Sequence, residues 1–249
     1  MAVKTVANCA VILGLLIVAL PTLAGQPLDG PERPLFKSIA RKIAEVSSYQ
    51  LKGTLRVLYY DFKGPNEDLD GRSVEGIPAF LGQSPVSAYG PREAENSSDL
   101  PAVTVTGYIF YYARDHDEAA FMIAHEMAHL ELGHPEAYTQ VFCRAYRAVV
   151  GQQAPCTGTR AEVDRLKQLA PIESSRIDAM TRANEITADA GALELMVRAG
   201  YDPRAAERLL QSMDELHRKY DFKPSATHPQ PLDRLRLLQR RIDQLAARR

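Results

Sequence analysis

The chain has 249 residues, and its 30 Lys+Arg against 31 Asp+Glu give a formal net charge of −1, which excludes a bulk electrostatic grip on nucleic acid. With 45% hydrophobic and 24% charged residues, it is neither a disordered chain, a collagen-like repeat nor a multi-span membrane protein. Three cysteines are too few for a disulfide-dense scaffold or a Cys-rich zinc module.

Residues 1–24 differ from the rest. Lys4 is their only charge, Ala10 to Leu20 is apolar apart from Gly14, and Pro21 precedes the small-residue exit Thr22-Leu23-Ala24. That order describes a secretory signal peptide, and the apolar run falls short of the roughly 20 residues of a transmembrane helix. The expectation is an exported protein with a cleaved signal at 1–24 and a single domain at 25–249. An uncleaved anchor is the less favoured alternative. Removal of Cys9 leaves Cys143 and Cys156, which an oxidising compartment would join as one disulfide; two free thiols are the alternative.

Gln26 to Pro34 reads as an extended lead-in, and the spacing of apolar residues predicts a helix over Leu35–Tyr49. Thr54–Tyr60 is β-branched and aromatic enough for a strand. The Gly-, Pro-, Asn- and Ser-rich stretch 61–100 reads as loops with a short strand near Ala88. Ala102–Tyr112 is the best strand candidate. Helices are expected at Asp115–Leu132, where Gly133 and Pro135 end the first, then at Glu136–Val150, Arg160–Leu169, Ser174–Ala199, Pro203–Tyr220 and Pro231–Ala247. Gly200 is the expected C-cap of the fourth, and Pro203 opens the next. The fold class is α+β, mostly α, with a small sheet.

His125-Glu126-Met127-Ala128-His129 is an HExxH motif. Histidines four apart on a helix face the same way, one turn apart, so two imidazoles can grip one zinc ion. Glu126 beside the first of them suits a general base acting on water. Zinc needs a third protein ligand. Leu132 and Pro135 stand where the metzincin spacing requires Gly and His, and His134 lies one residue short of that place. The better candidate is Glu185. Asp189, four residues on, shares its helix face and suits a group that orients a ligand histidine. Acidic pairs at this spacing are also common on solvated helix faces, so this pair alone does not decide.

Four blocks in order make the pattern specific: Gly107-Tyr108-Ile109-Phe110; His125 to His129; Glu185-Ile186-Thr187-Ala188-Asp189 running on through Gly191 to Ala199-Gly200-Tyr201-Asp202-Pro203; and Thr227-His228-Pro229 followed by Arg234. Over roughly residues 100–240 the chain resembles the gluzincin metalloproteases that include the CAAX prenyl proteases, the HtpX heat-shock proteases and the periplasmic BepA-type proteases. The resemblance implies a zincin-like helical core with a small β-sheet beside the active-site cleft. It also implies one zinc ion bound by His125, His129 and Glu185, Glu126 as base, Asp189 behind the ligands and His228 near the metal. His228 is then expected to stabilise the oxyanion or to close the resting site, and Arg234 to stabilise the same charge or anchor its loop to a carboxylate.

The expected activity is that of a zinc-dependent endopeptidase, with substrate adding as an extended strand along residues 102–112. A periplasmic quality-control role, with misfolded or unassembled envelope polypeptides as partners and no nucleic acid, comes from the resemblance alone. Association with the membrane surface stays open. The alternative is a non-catalytic zinc-containing chaperone or adaptor of the same fold. The expectation is a minimal, soluble, exported member without the membrane spans and the TPR tail of those relatives.

Overall fold

The computed structural model describes residues 32–48, 56–60, 67–68, 86–89, 102–106, 112–222 and 225–248. It is mostly helical. The elements are α1 (Glu32–Val46), β1 (Arg56–Tyr60), β2 (Glu67–Asp68), β3 (Val86–Tyr89), β4 (Ala102–Thr106), α2 (His116–Glu131), α3 (His134–Val150), α4 (Arg160–Leu169), α5 (Pro171–Arg198), α6 (Arg204–Lys219) and α7 (Pro231–Ala246). No helix among the described residues is long and apolar enough to cross a membrane. The signal segment, most of 61–100 and the Gly107–Phe110 block lie outside the described residues.

The four strands form one sheet in the order β2-β1-β4-β3. β4 pairs parallel to β1, Arg56 opposite Ala102, and antiparallel to β3, Val86 opposite Val105. Both sides of β4 are therefore occupied. For residues 102–106 this corrects the expectation that a substrate adds along residues 102–112, because an added strand needs unpaired backbone groups; residues 107–111 lie outside the described residues. Among the described residues, the strand nearest α2 with a free side is β3.

α2 is the axis of the molecule. Every residue from Glu118 to Leu130 is buried, as expected of a helix with neighbours on all sides. α1, α5, α6 and the sheet pack around it, and α7 closes on α5 and α6. Its start is fixed locally: Asp115 at the N-cap accepts from the Glu118 amide at 2.8 Å, meeting one of the unpaired donors of the first turn. The closest approach is to α5. A Cβ added at Gly191 would lie 3.0 Å from the Cβ of Ala128, so the missing side chain lets the two site-bearing helices come together.

Two helices begin earlier than the sequence suggests. α3 starts at His134 and α5 at Pro171. Pro135 and Pro171 open helices here, since a proline in the first turn forfeits no hydrogen bond. Gly133 makes the preceding turn with φ 68°, so Pro135 follows the α2 stop instead of causing it. The end of α5 matches its sequence signal. Gly200 adopts φ 85°, its amide donates to the Val197 carbonyl at 3.1 Å and that of Tyr201 to Met196 at 2.9 Å, the paired bonds of a Schellman turn.

A second, smaller core joins α3, α4 and α5 through Phe142, Tyr146, Leu166 and Ile177. The Cys143–Cys156 disulfide closes its edge.

Candidate metal centre

Three chain segments meet at one point. α2 supplies His125, Glu126 and His129; α5 supplies Glu185 and Asp189; the turn before α7 supplies His228. The two motif histidines are one helical turn apart, and their Nε2 atoms lie 3.1 Å from each other. Glu185 faces both, its Oε2 3.3 Å from His125 Nε2 and its Oε1 3.3 Å from His129 Nε2. These three residues are the one group of at least three His, Cys, Asp or Glu donors among the described residues that could hold a metal ion.

The spacing fits such an ion. Ligand atoms about 2.0–2.1 Å from a tetrahedral centre stand about 3.3 Å apart, close to the separations seen. No hydrogen bond of ordinary geometry reaches either buried Glu185 oxygen, and a buried carboxylate without one is costly unless a cation is near. The charges agree. Burial favours neutral forms, yet the imidazoles of His125 and His129 hold the Glu185 carboxyl well below its usual range. Burial likewise opposes charge on His125, but Asp189 and Glu185 raise its pKa to about 10. The pocket calls for positive charge, which a metal ion would provide in place of a proton.

The outward nitrogens are held as well. His125 Nδ1 lies 2.9 Å from Asp189 Oδ1. Asp189 is fully buried and receives two hydrogen bonds from Arg234, Nε to Oδ2 at 2.8 Å and Nη2 to Oδ1 at 2.5 Å. Despite burial, Arg234 and His125 keep the Asp189 carboxyl below its usual value. Arg234 therefore takes the carboxylate-anchoring role of the two expected for it, tying α7 to α5 behind His125.

His134 stands outside the ligand set. Its Nδ1 sits 2.9 Å from Nδ1 of His129, on the side away from Glu185, and its Nε2 is 3.3 Å from Thr187 Oγ1. Burial and the neighbouring His129 push it down to about 4.

Glu126 is buried, 2% exposed, one residue past His125. His228 lies with its Nε2 buried 3.6 Å from Glu185 Oε1. A local hydroxyl cluster fixes its ring: Thr227 Oγ1 is 2.9 Å and Ser225 Oγ 3.2 Å from Nδ1, while Ser225 Oγ also accepts from the Thr227 and His228 amides. Arg182 of α5 donates to the Ala226 carbonyl, pinning the turn to the helix that carries Glu185. Burial brings His228 down to about 4, so it is neutral near pH 7. Ser225 and Arg182 drew no attention in the sequence, because single Ser and Arg residues at those spacings carry no signal of their own.

No curated relative and no solved structure matches the chain. The model of one family does match, over residues 92–242, a stretch that holds all three segments of this centre. Since that stretch covers more than half of the chain, the protein belongs to peptidase family M48.

Proposed function

We propose that this protein is a zinc-dependent endopeptidase. Members of the family are zinc-dependent metallopeptidases, and two imidazole nitrogens with one carboxylate form a donor set that suits zinc. One observation carries the reading: His125, His129 and Glu185 converge at tetrahedral-ligand spacing with Glu126 adjoining. His125, His129 and Glu185 would hold one zinc ion, which supplies a Lewis acid able to make water a nucleophile near neutral pH.

The residues of the chain do the rest. Glu126 accepts the proton of the attacking water and returns it to the leaving amine. His228 donates from Nε2 to the oxyanion. A hydroxyl of the Ser225–Thr227 cluster is placed to donate to its Nδ1, and that direction would leave the proton on Nε2 facing the acidic centre. A donor aimed at developing negative charge typically contributes about 10²–10³-fold. Asp189, clamped by Arg234, keeps His125 oriented. Among the described residues, β3 is the edge strand nearest α2, along which an extended polypeptide can add.

The subtype within the family, the substrates and the location are part of the same proposal. The N-terminal sequence pattern supports export, and the Cys143–Cys156 disulfide suits an oxidising compartment. Together they favour a periplasmic enzyme; degradation of misfolded envelope proteins, as by the BepA type, rests on the family resemblance. Glu126→Gln keeps the side-chain shape and loses the base. It should retain one zinc per chain by mass spectrometry and lose casein-degrading activity by at least about 10²–10⁴-fold. Wild-type turnover by this variant would remove Glu126 as base.

A further inference from the structure

We propose that His134 is the positioning residue of His129, holding its outward nitrogen as Asp189 holds that of His125. The inference rests on the metal reading above and extends it to a residue outside the ligand set.

With a metal ion on His129 Nε2, the direction of each hydrogen bond follows. His129 Nε2 faces His125 and Glu185, so a neutral His129 bound through Nε2 carries its proton on Nδ1. The atom facing that proton is His134 Nδ1 at 2.9 Å, which must accept. The proton of His134 then sits on Nε2, 3.3 Å from Thr187 Oγ1. Thr187 can accept it because its own hydroxyl hydrogen goes to the Asn184 carbonyl at 2.9 Å. Every donor in the chain His129–His134–Thr187–Asn184 thus meets one acceptor, with no charge required at any member.

The arrangement also joins helices. His134 is the first residue of α3, and Gly133 with φ 68° turns the chain sharply enough after α2 to bring its ring back under His129. Thr187 and Asn184 lie on α5, within two residues of Glu185. One imidazole therefore registers the second histidine of the motif against the helix that carries the carboxylate ligand. The two histidines differ in what holds them: a carboxylate behind His125, and a neutral ring behind His129. A neutral acceptor donates less electron density than a carboxylate, so the two ligands are not held alike.

Two measurements test this on the zinc-loaded protein. In a long-range ¹H–¹⁵N correlation spectrum, His134 should show its proton on Nε2 and an unprotonated Nδ1. A proton on Nδ1, or on both nitrogens, at neutral pH overturns the proposal. The second is zinc affinity by chelator competition. His134→Leu removes the acceptor and should weaken zinc binding about 10–100-fold. His134→Asn, whose carbonyl oxygen can stand where Nδ1 stood, should recover most of that loss. Thr187→Val should weaken binding in the same direction by less. His134→Leu binding zinc as tightly as wild type, or His134→Asn losing as much as His134→Leu, overturns the positioning role. Should His134→Leu not fold, the spectrum and the His134→Asn and Thr187→Val affinities decide. A wild-type protein that binds zinc and cleaves casein, with variants unchanged, sinks this inference alone. A wild-type protein that binds no zinc sinks the proposed function with it.

Discussion

Asp189 is wholly buried, and Arg234 is the cation that balances it. Glu185 and Glu126 add to the negative charge that the guanidinium feels and help hold its pKa above the usual arginine value against burial. Removing one partner of such a pair leaves an uncompensated buried charge, which typically costs about 3–5 kcal/mol. Arg234→Met should lower unfolding free energy by about that amount, read from the urea midpoint at constant m-value. Arg234→Lys should recover only part, since an ammonium cannot reproduce the two-pronged contact. A change within error for Arg234→Met would mean that Asp189 is not charged in the native state. The HExxH pair, Glu185 and Asp189 are legible in the sequence because each pair sits at a one-turn spacing, which places two side chains together without knowledge of the rest. The partner of Arg234 is not legible. It depends on how α7 crosses α5, and two carboxylates at unrelated sequence distances would serve equally until that crossing is known.

Gly191 shows how an element sets the site. Six residues after Glu185 on α5, it faces Ala128, one residue before His129 on α2. At an exposed helical position, Gly→Ala would stabilise by about 1 kcal/mol. Here the added methyl meets another Cβ at 3.0 Å, and overpacking typically costs about 1–3 kcal/mol. Gly191→Ala should therefore fail to raise Tm and should weaken metal binding, because parting the helices by a few tenths of an ångström moves Glu185 away from His125 and His129. A higher Tm with unchanged metal affinity would show that the contact relaxes freely. The helices themselves were readable from apolar spacing and caps, most clearly at Asp115 and Gly200. Their starts at His134 and Pro171 were not, since a proline marks equally the end of one helix and the opening of the next. The internal position of β4 was hidden for a different reason. Which strand lies at an edge depends on partners far away in sequence, and β4 gains its parallel neighbour across the whole of 61–101.

The candidate centre draws on α2, α5 and the turn before α7, segments that are up to about a hundred residues apart and share the main core. An ion held there ties together elements that apolar packing already brings close, and it relieves the negative charge focused on Glu185. A ligand that binds the native chain and not the unfolded one stabilises by RT ln(1 + [L]/Kd), about 4 kcal/mol at a free concentration a thousandfold above Kd. For a domain of this size each kcal/mol moves Tm by roughly 2–4 °C. Chelation of the zinc-loaded protein should therefore lower Tm by roughly 8–16 °C, as read by scanning calorimetry, and zinc should restore it. Glu185→Ala separates this linkage from a general effect of the chelator. It lacks one of the three donors, so its Tm should respond little to chelator or to zinc, while Glu126→Gln should respond as the wild type does. A wild-type Tm indifferent to both reagents would mean that the native chain binds no zinc at this centre, however well the donor spacing fits one. An equal response in Glu185→Ala would place the stabilising ion elsewhere, with the carboxylate of α5 left as a buried partner of the histidines.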